Sequence, residues 1–346
     1  MSWMIYGANG YTGELVAREA KRRGLAPMLA GRSADRVARL ASDLGLPSRV
    51  FALDGDVARH LDGIELVLLC AGPFSATSQP MLDACLAAKA HYLDITGEIA
   101  VLEGALARNA DARQAGVVVC GGVGFDVIPT DCVAAALKEA LPGATTLSLG
   151  FDSRSRMSAG TAKTAVEGIA LGGRVRSKGA IVEVPLAHHV RKIDFGAGEK
   201  WAMAVPWGDV STAYHTTGIP NIEVFIPASR SAIASTQRMN AVRPLLRSRP
   251  AQWLLKMGAG RMKGPDEQAR AKLPTYVWGE ATDAHGRTKT ARVRTENGYS
   301  VTVSGSLAVI DHVLHHRPAA GAYTPARLVG PDLVATLPGS GPLIVE

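Results

Sequence analysis

Seven residues near the start, Gly7-Ala8-Asn9-Gly10-Tyr11-Thr12-Gly13, carry the clearest chemical signal in the chain. They follow the apolar run Trp3 to Tyr6 and precede a helical pattern from Glu14 to Arg23. In that setting Gly7 permits a tight turn, Gly10 lets the backbone approach a pyrophosphate, and Gly13 lets a helix pack closely on a sheet. The helix N-terminus then offers free N–H groups and a favourable dipole to the anion. No Lys-Ser or Lys-Thr follows, which excludes a phosphate-transferring P-loop. The second apolar run ends in Gly31-Arg32-Ser33, where NAD-specific proteins place an acid for the ribose 2′-hydroxyl. A guanidinium fork suits a 2′-phosphate, and Ser33 adds a hydroxyl donor, so the expected coenzyme is NADP, as NADPH. The competing role is a helix-capping Ser33 beside a solvated Arg32. Asp54 is placed to reach the adenine edge. The small residues of Cys70-Ala71-Gly72-Pro73-Phe74 leave room for ribose and pyrophosphate.

Chemistry with a nicotinamide hydride also needs a group that stabilises developing negative charge and an acid that supplies a proton. None of the seven tyrosines is followed by Lys at Tyr-x-x-x-Lys spacing, which disfavours the short-chain dehydrogenase mechanism. Ser158 to Thr164 opens a helical pattern in which Lys163 can face an anion or a carbonyl. Asp209 to Gly218 gathers hydroxyls, the Tyr214 phenol and the His215 imidazole, so Tyr214 or His215 is the expected proton donor. The alternative is a polar turn with His215 merely hydrogen-bonded. Tyr299, after Asn297-Gly298, is a third choice. Asp94, Thr96 and Glu98 cluster past a strand terminus at the ligand-binding edge, although Glu98 also suits the first turn of the next helix. Asp131 reads as an N-cap rather than a catalytic acid. His312, His315 and His316 come without H-E-x-x-H or nearby Cys, and no metal is expected.

These side chains need a frame. Short apolar runs alternate with helical periods, giving strands at Trp3 to Tyr6, Pro27 to Ala30, Arg49 to Leu53, Leu66 to Cys70, Tyr92 to Ile95 and Val117 to Cys120. The expected fold is α/β: a Rossmann-type parallel sheet domain over residues 1–143, then a mixed α+β substrate and dimerisation domain over 144–346. About the last 25 residues can return to the first domain. In the second domain, extended runs are expected over Ala202 to Val210 and Ile222 to Ile226, with a hairpin turn at Asp283 to Gly286.

The 346 residues are 47% apolar and 20% charged, enough for two cores and too apolar for disorder. No stretch reaches the roughly 18 apolar residues of a membrane span, and a strand beginning near Ser2 leaves no room for a signal peptide, so the expected location is cytoplasmic without stable membrane insertion. Cys70, Cys85, Cys120 and Cys132 lack C-x-x-C pairing and read as free thiols. A net charge of +7 favours anionic small molecules or an acidic carrier, whereas nucleic acid is not expected for want of a basic run with interleaved aromatics. Arg238 to Lys272, with nine Lys or Arg against two acids around Trp253-Leu254-Leu255, reads as a surface helix with a solvated face, the alternative being a membrane or carrier-protein docking face. Strands that need covering point to a homodimer through the second domain.

Several blocks together resemble the saccharopine dehydrogenase-like reductases, especially their trans-acting enoyl reductase branch. They are Gly7 to Gly13, Leu29 to Arg32, Cys70 to Phe74, His91 to Glu98, Gly124 to Asp131 and Gly321 to Ala326. The resemblance implies an NADP-binding fold with a substrate domain and reduction of a C=C or C=N bond. It also implies that Gly124, Phe125, Asp126 and Pro129 border the reacting carbon, with Gly124 and Phe125 beside the nicotinamide and Asp126 among the catalytic groups. The expected substrate is an enoyl thioester or related unsaturated carbonyl, free or carrier-bound. An imine formed by an amino acid is the alternative, with Arg154, Arg156 and Arg174 available for its carboxylate. A non-catalytic NADP(H)-sensing regulator stays open beside both.

Overall fold

The computed structural model describes residues 2–153, 172–246 and 273–346, with isolated positions 168, 248, 251, 257, 258 and 264. The chain forms two units: Met1–Asp126 with Tyr299–Val329, and Val127–Gly298 with Gly330–Glu346. The sheet domain therefore ends at Asp126, not at residue 143, and the returning segment precedes the last 17 residues, 330–346, which stay with the second unit.

Strands β1 (Trp3–Tyr6), β2 (Met28–Gly31), β3 (Ser48–Val50), β4 (Leu66–Leu69), β5 (His91–Asp94) and β6 (Val118–Cys120) form a parallel sheet in the order β6-β5-β4-β1-β2-β3. A returning strand, Gly321–Tyr323, adds a seventh position beside β6. β1 and β4 are buried at every position, as expected for strands covered on both faces. Helix α1 (Tyr11–Arg22) buries Gly13, Val16, Ala17 and Ala20, the i, i+3, i+4, i+7 stripe of a helix laid on a sheet. Helix α2 (Ala34–Leu44) ends where Gly45 takes φ +61. Helices α3 (Phe74–Ala88), α4 (Ile99–Ala107) and α5 (Asn109–Ala115) complete the crossovers. β3 ends at Val50, shorter than expected, and Phe51 follows it with its N–H donating to the Gly31 carbonyl of β2 at 3.2 Å. Its ring packs between Tyr6, at 4.9 Å, and His60, stacked at 4.6 Å.

The second unit opens with helix α6 (Ile128–Ala140) and carries a mixed sheet. Its strands are β7 (Ala144–Asp152), β8 (Gly173–Ser177), β9 (Ala180–Val184), β10 (Val190–Asp194), β11 (Glu199–Val205), β12 (Asn221–Pro227), β13 (Thr275–Asp283), β14 (Thr288–Thr295) and the short closing strand Ile344–Val345. β7 pairs with β12 in parallel and with β13 antiparallel. α6 belongs here because it lies against β13, where a side chain on Gly279 would come within 2.6 Å of Val133. The hairpin at Asp283 forms, with Oδ1 accepting from the N–H groups of His285 and Arg287.

Two local expectations change. The run Ala202 to Val210 is extended only to Val205, and Val210 lies in helix α7 (Asp209–Thr217), so Tyr214 and His215 sit on a helix rather than a turn. Asp131 is not an N-cap: α6 starts three residues earlier, with Pro129 in its first turn, and the buried Asp131 carboxylate accepts the Thr216 hydroxyl of α7. Among the described residues no helix is long and apolar enough to cross a membrane.

Candidate coenzyme and active site

The strand order reverses between β1 and β4, and the crevice at the carboxyl ends of these strands is where such sheets bind ligands. The glycine turn lies there. Gly7 has φ +86, and a Cβ on it would lie 2.7 Å from the backbone nitrogen of Ala71, in the loop after β4. Gly7 and Ala8 both donate to the Ala30 carbonyl, at 2.8 and 3.1 Å, which fastens the turn to β2. A Cβ on Gly13 would overlap the Gly7 carbonyl oxygen and lie 2.9 Å from Ala8 Cα, so α1 packs directly on the turn. Gly10 is the N-cap of α1 with no side chain over the first turn, leaving a backbone cradle of the kind that holds a pyrophosphate. Ala71, Gly72 and Pro73 form the facing loop, and Phe74 begins α3. Tyr11 and Thr12, partly buried, form the first turn of α1.

Charge at the end of β2 suits a phosphate. Ser33 occupies the N-cap position of α2 yet makes no cap hydrogen bond, so the capping role does not account for its hydroxyl. Arg32 is exposed, and both it and Asp54 act electrostatically on Tyr6, whose hydroxyl donates to the Phe51 carbonyl at 3.0 Å. A residue not singled out from the sequence joins them: Arg36 Nη2 donates to the Asn9 carbonyl at 2.8 Å, tying α2 to the glycine turn. Asn9 in turn presses on Gly31, where a Cβ would lie 2.8 Å from Asn9 Oδ1. The spacing of Arg36, one helical turn after Arg32, was a readable signal. Residues able to hold NADP are thus Arg32, Ser33 and Arg36 for the 2′-phosphate, and the Gly7 to Gly13 turn for the pyrophosphate. Arg36→Ala is expected to weaken NADPH roughly tenfold while changing NADH little, since a charged hydrogen bond contributes about 1.5–3 kcal/mol. Calorimetric dissociation constants for the two coenzymes check this.

The Asp94, Thr96, Glu98 cluster is a scaffold. The buried Asp94 carboxylate accepts from Thr96 N–H and Gly122 N–H, both at 2.9 Å, and from the Tyr92 hydroxyl at 2.7 Å. Burial raises its pKa. Thr96 Oγ1 accepts from Glu98 N–H at 3.0 Å. The Glu98 carboxylate reaches Phe74 N–H at 3.0 Å and Ser75 N–H at 2.8 Å, so it stabilises the first turn of α3 rather than that of the helix it precedes. These bonds organise the loops flanking the crevice.

Past β6, Gly122 to Asp126 form a loop fastened by Asp94 on one side and by the returning helix Gly298–His316 on the other. Thr302 Oγ1 of that helix accepts from Phe125 N–H at 3.0 Å, and a Cβ on Gly124 would lie 2.9 Å from the Thr302 methyl. Asp126 is partly buried and packs against Gly97, where a side chain would approach it to 3.0 Å. Burial pushes its carboxyl up to about 7. Tyr299, on the first turn of the same helix, meets the Tyr11 ring edge-on at 5.0 Å.

Tyr214 and His215 lie in the second unit on α7. This helix is held by Thr130 donating to Asp209 at 2.6 Å, by Thr216 donating to Asp131, and by buried Arg176 donating to the Val210 carbonyl at 2.8 Å. The Arg176 guanidinium lies 4.2 Å from the Tyr214 ring centroid, and the Tyr214 and His215 rings meet edge-on at 5.6 Å. Lys163, Arg154 and Arg156 lie outside the described residues, whereas Arg174 faces Glu183 at 3.5 Å. The rings of His312 and His316 stack at 4.8 Å, and among the described residues no three His, Cys, Asp or Glu side chains group as a metal site.

A parallel sheet in this order, with a glycine turn at the switch point, defines a dinucleotide-binding Rossmann domain. Residues 3–120 match the model of the saccharopine dehydrogenase NADP binding domain. Similar proteins include the human saccharopine dehydrogenase-like oxidoreductase, 33% identical over 150 residues that cover 37% of this chain and 35% of the relative. A Mycobacterium tuberculosis protein named as a trans-acting enoyl reductase is 29% identical over 147 residues, covering 40% of this chain and 35% of that protein. The chain thus spans about a third of the length of the curated relatives it matches. Apo saccharopine dehydrogenase (L-Glu forming) of Saccharomyces cerevisiae shares the fold, with a TM-score of 0.61 over 96% of this chain and 95% of that one at 10% identity.

Proposed function

We propose that this protein is an NADPH-dependent reductase of an activated C=C bond, in an enoyl thioester or a related unsaturated carbonyl. What supports the reading is Asp126: a carboxyl pushed up to about 7 by burial, in the loop at the carboxyl end of β6, on the side of the sheet where this topology takes the nicotinamide half of a dinucleotide. A carboxylic acid half-protonated near neutral pH is matched to proton donation. When bound, NADPH supplies a hydride. The chain orients the coenzyme through the glycine turn and the Arg32, Ser33 and Arg36 group, keeps the Asp126 proton available, and delivers it from the carboxyl oxygen to the reduced carbon skeleton. Tyr214, His215 and Lys163 are assigned to the substrate, with Tyr214 and His215 as a second donor pair. The relative named as an enoyl reductase favours C=C over C=N. The second unit is assigned to substrate binding and homodimer formation.

The test follows NADPH oxidation with a panel of enoyl thioesters, unsaturated ketones and preformed imines, using the wild type and the Asp126→Asn, Tyr214→Phe and His215→Ala variants. Turnover of alkenes that disappears with Asp126→Asn supports the reading. Turnover of imines alone transfers it to an imine reductase, and tight NADPH binding without any turnover points to an NADP(H) sensor.

A further inference from the structure

We infer that Tyr299, far outside the 3–120 span of the family domain, is a coenzyme-contacting residue on the nicotinamide side of the site, acting with Tyr11. The inference deepens the coenzyme reading above and rests on it. β1 and β6 stand three places apart in the sheet, so at about 4.8 Å per strand the loops at their carboxyl ends open roughly 14 Å apart. The first turn of the helix Gly298–His316 touches both. Tyr299 meets Tyr11 of the β1 turn at 5.0 Å and 84°, while Thr302 holds the β6 loop through Phe125 N–H and fills the space beside Gly124. Tyr299 and Thr302 are three positions apart and share a helix face. That face therefore links the turn after β1 to the loop after β6, and β4 and β5 lie between those two strands in the sheet.

In this topology the adenine half of a dinucleotide lies over β2 and β3, and the nicotinamide riboside half lies over β4 and β5. The two phenols consequently border the uncharged half of the coenzyme. Aromatic edges pack against flat rings, and phenol hydroxyls hydrogen-bond ribose hydroxyls or a carboxamide. The group they recognise is a nicotinamide riboside, not a phosphate.

This separates Tyr299 from the residues that hold the phosphates. Calorimetry on the full chain compares NADPH with adenosine 2′,5′-bisphosphate, which keeps the 2′-phosphate half and lacks nicotinamide. Tyr299→Ala is expected to weaken NADPH about tenfold and to leave the bisphosphate within about twofold, whereas Tyr299→Phe, which keeps the ring, stays within about threefold for both. Tyr299→Leu, which keeps bulk against Tyr11, is measured in the same way should Tyr299→Ala fail to fold by circular dichroism. Unchanged NADPH affinity, or equal weakening of both ligands, overturns the inference. If the wild type binds neither ligand the coenzyme reading falls with it, whereas strong wild-type binding that ignores the substitution removes the role of Tyr299 alone.

Discussion

Asp126→Asn is expected to lower kcat by about a hundredfold to ten-thousandfold, the range that a positioned general acid contributes. The amide keeps the shape packed against Gly97 and removes the transferable proton. The pH dependence separates this from a packing defect. With its carboxyl near 7, wild-type Asp126 is increasingly deprotonated above neutral pH, so kcat/KM falls on that side, about tenfold per unit well above the pKa. The Asn variant loses that limb. Stability moves in the opposite direction. The folded-state pKa is raised from the ordinary 3.8, so the contribution of Asp126 to stability is fully present below about pH 4 and is lost as pH rises through about 7. At pH 8 Asp126→Asn is therefore expected to unfold at higher urea than the wild type, and at pH 4 at about the same urea. A slower yet more stable enzyme is the signature of a group held for function. A loss of activity that is constant from pH 5 to 9, without the stability gain, would assign the proton to Tyr214 or His215.

The second large effect separates two glycines of one motif. A Cβ on Gly13 would strike the backbone of Gly7 and Ala8, which cannot move without pulling the turn from β2. Gly13→Ala is therefore expected to cost roughly 3 kcal/mol of stability, the upper range for overpacking, and at least about a hundredfold in NADPH affinity. At Gly10, among the described residues, the sole near neighbour of a Cβ is the Gly7 carbonyl oxygen, at 3.2 Å. Gly10→Ala is accordingly expected to change stability by less than about 1 kcal/mol, as surface substitutions do, while the methyl stands over the pyrophosphate cradle and weakens NADPH at least tenfold, by about 1.4 kcal/mol or more. Urea unfolding and calorimetry on the same preparations read both quantities. Equal destabilisation by the two variants would mean that Gly10 is there for the turn and not for a ligand.

Much of the first unit was legible in the sequence because its determinants are local. The glycine spacing, the apolar runs of β1 and β4 and the helical stripe of α1 each lie within about a dozen residues and act through backbone sterics and periodicity. Arg32 and Ser33 were readable for the same reason, and Arg36 one turn later should have been. Local pattern misjudged the places where a distant partner decides. The Phe51 ring packs on Tyr6 and His60 just past β3, Asp131 is buried to hold Thr216, and Glu98 stabilises the first turn of a helix that precedes it in the chain.

The sequence by itself determined a Rossmann domain built for NADP, since a turn, a phosphate cradle and a cationic strand end are encoded by neighbouring residues. Only the tertiary structure brought the far end of the chain to the glycine turn and to the loop after β6. Thr302 reaches Phe125 across 177 residues, and Tyr299 reaches Tyr11 from the far end of the chain. The acidity of Asp126 likewise comes from what is packed around it, because desolvation belongs to a folded environment and leaves no trace in residue spacing.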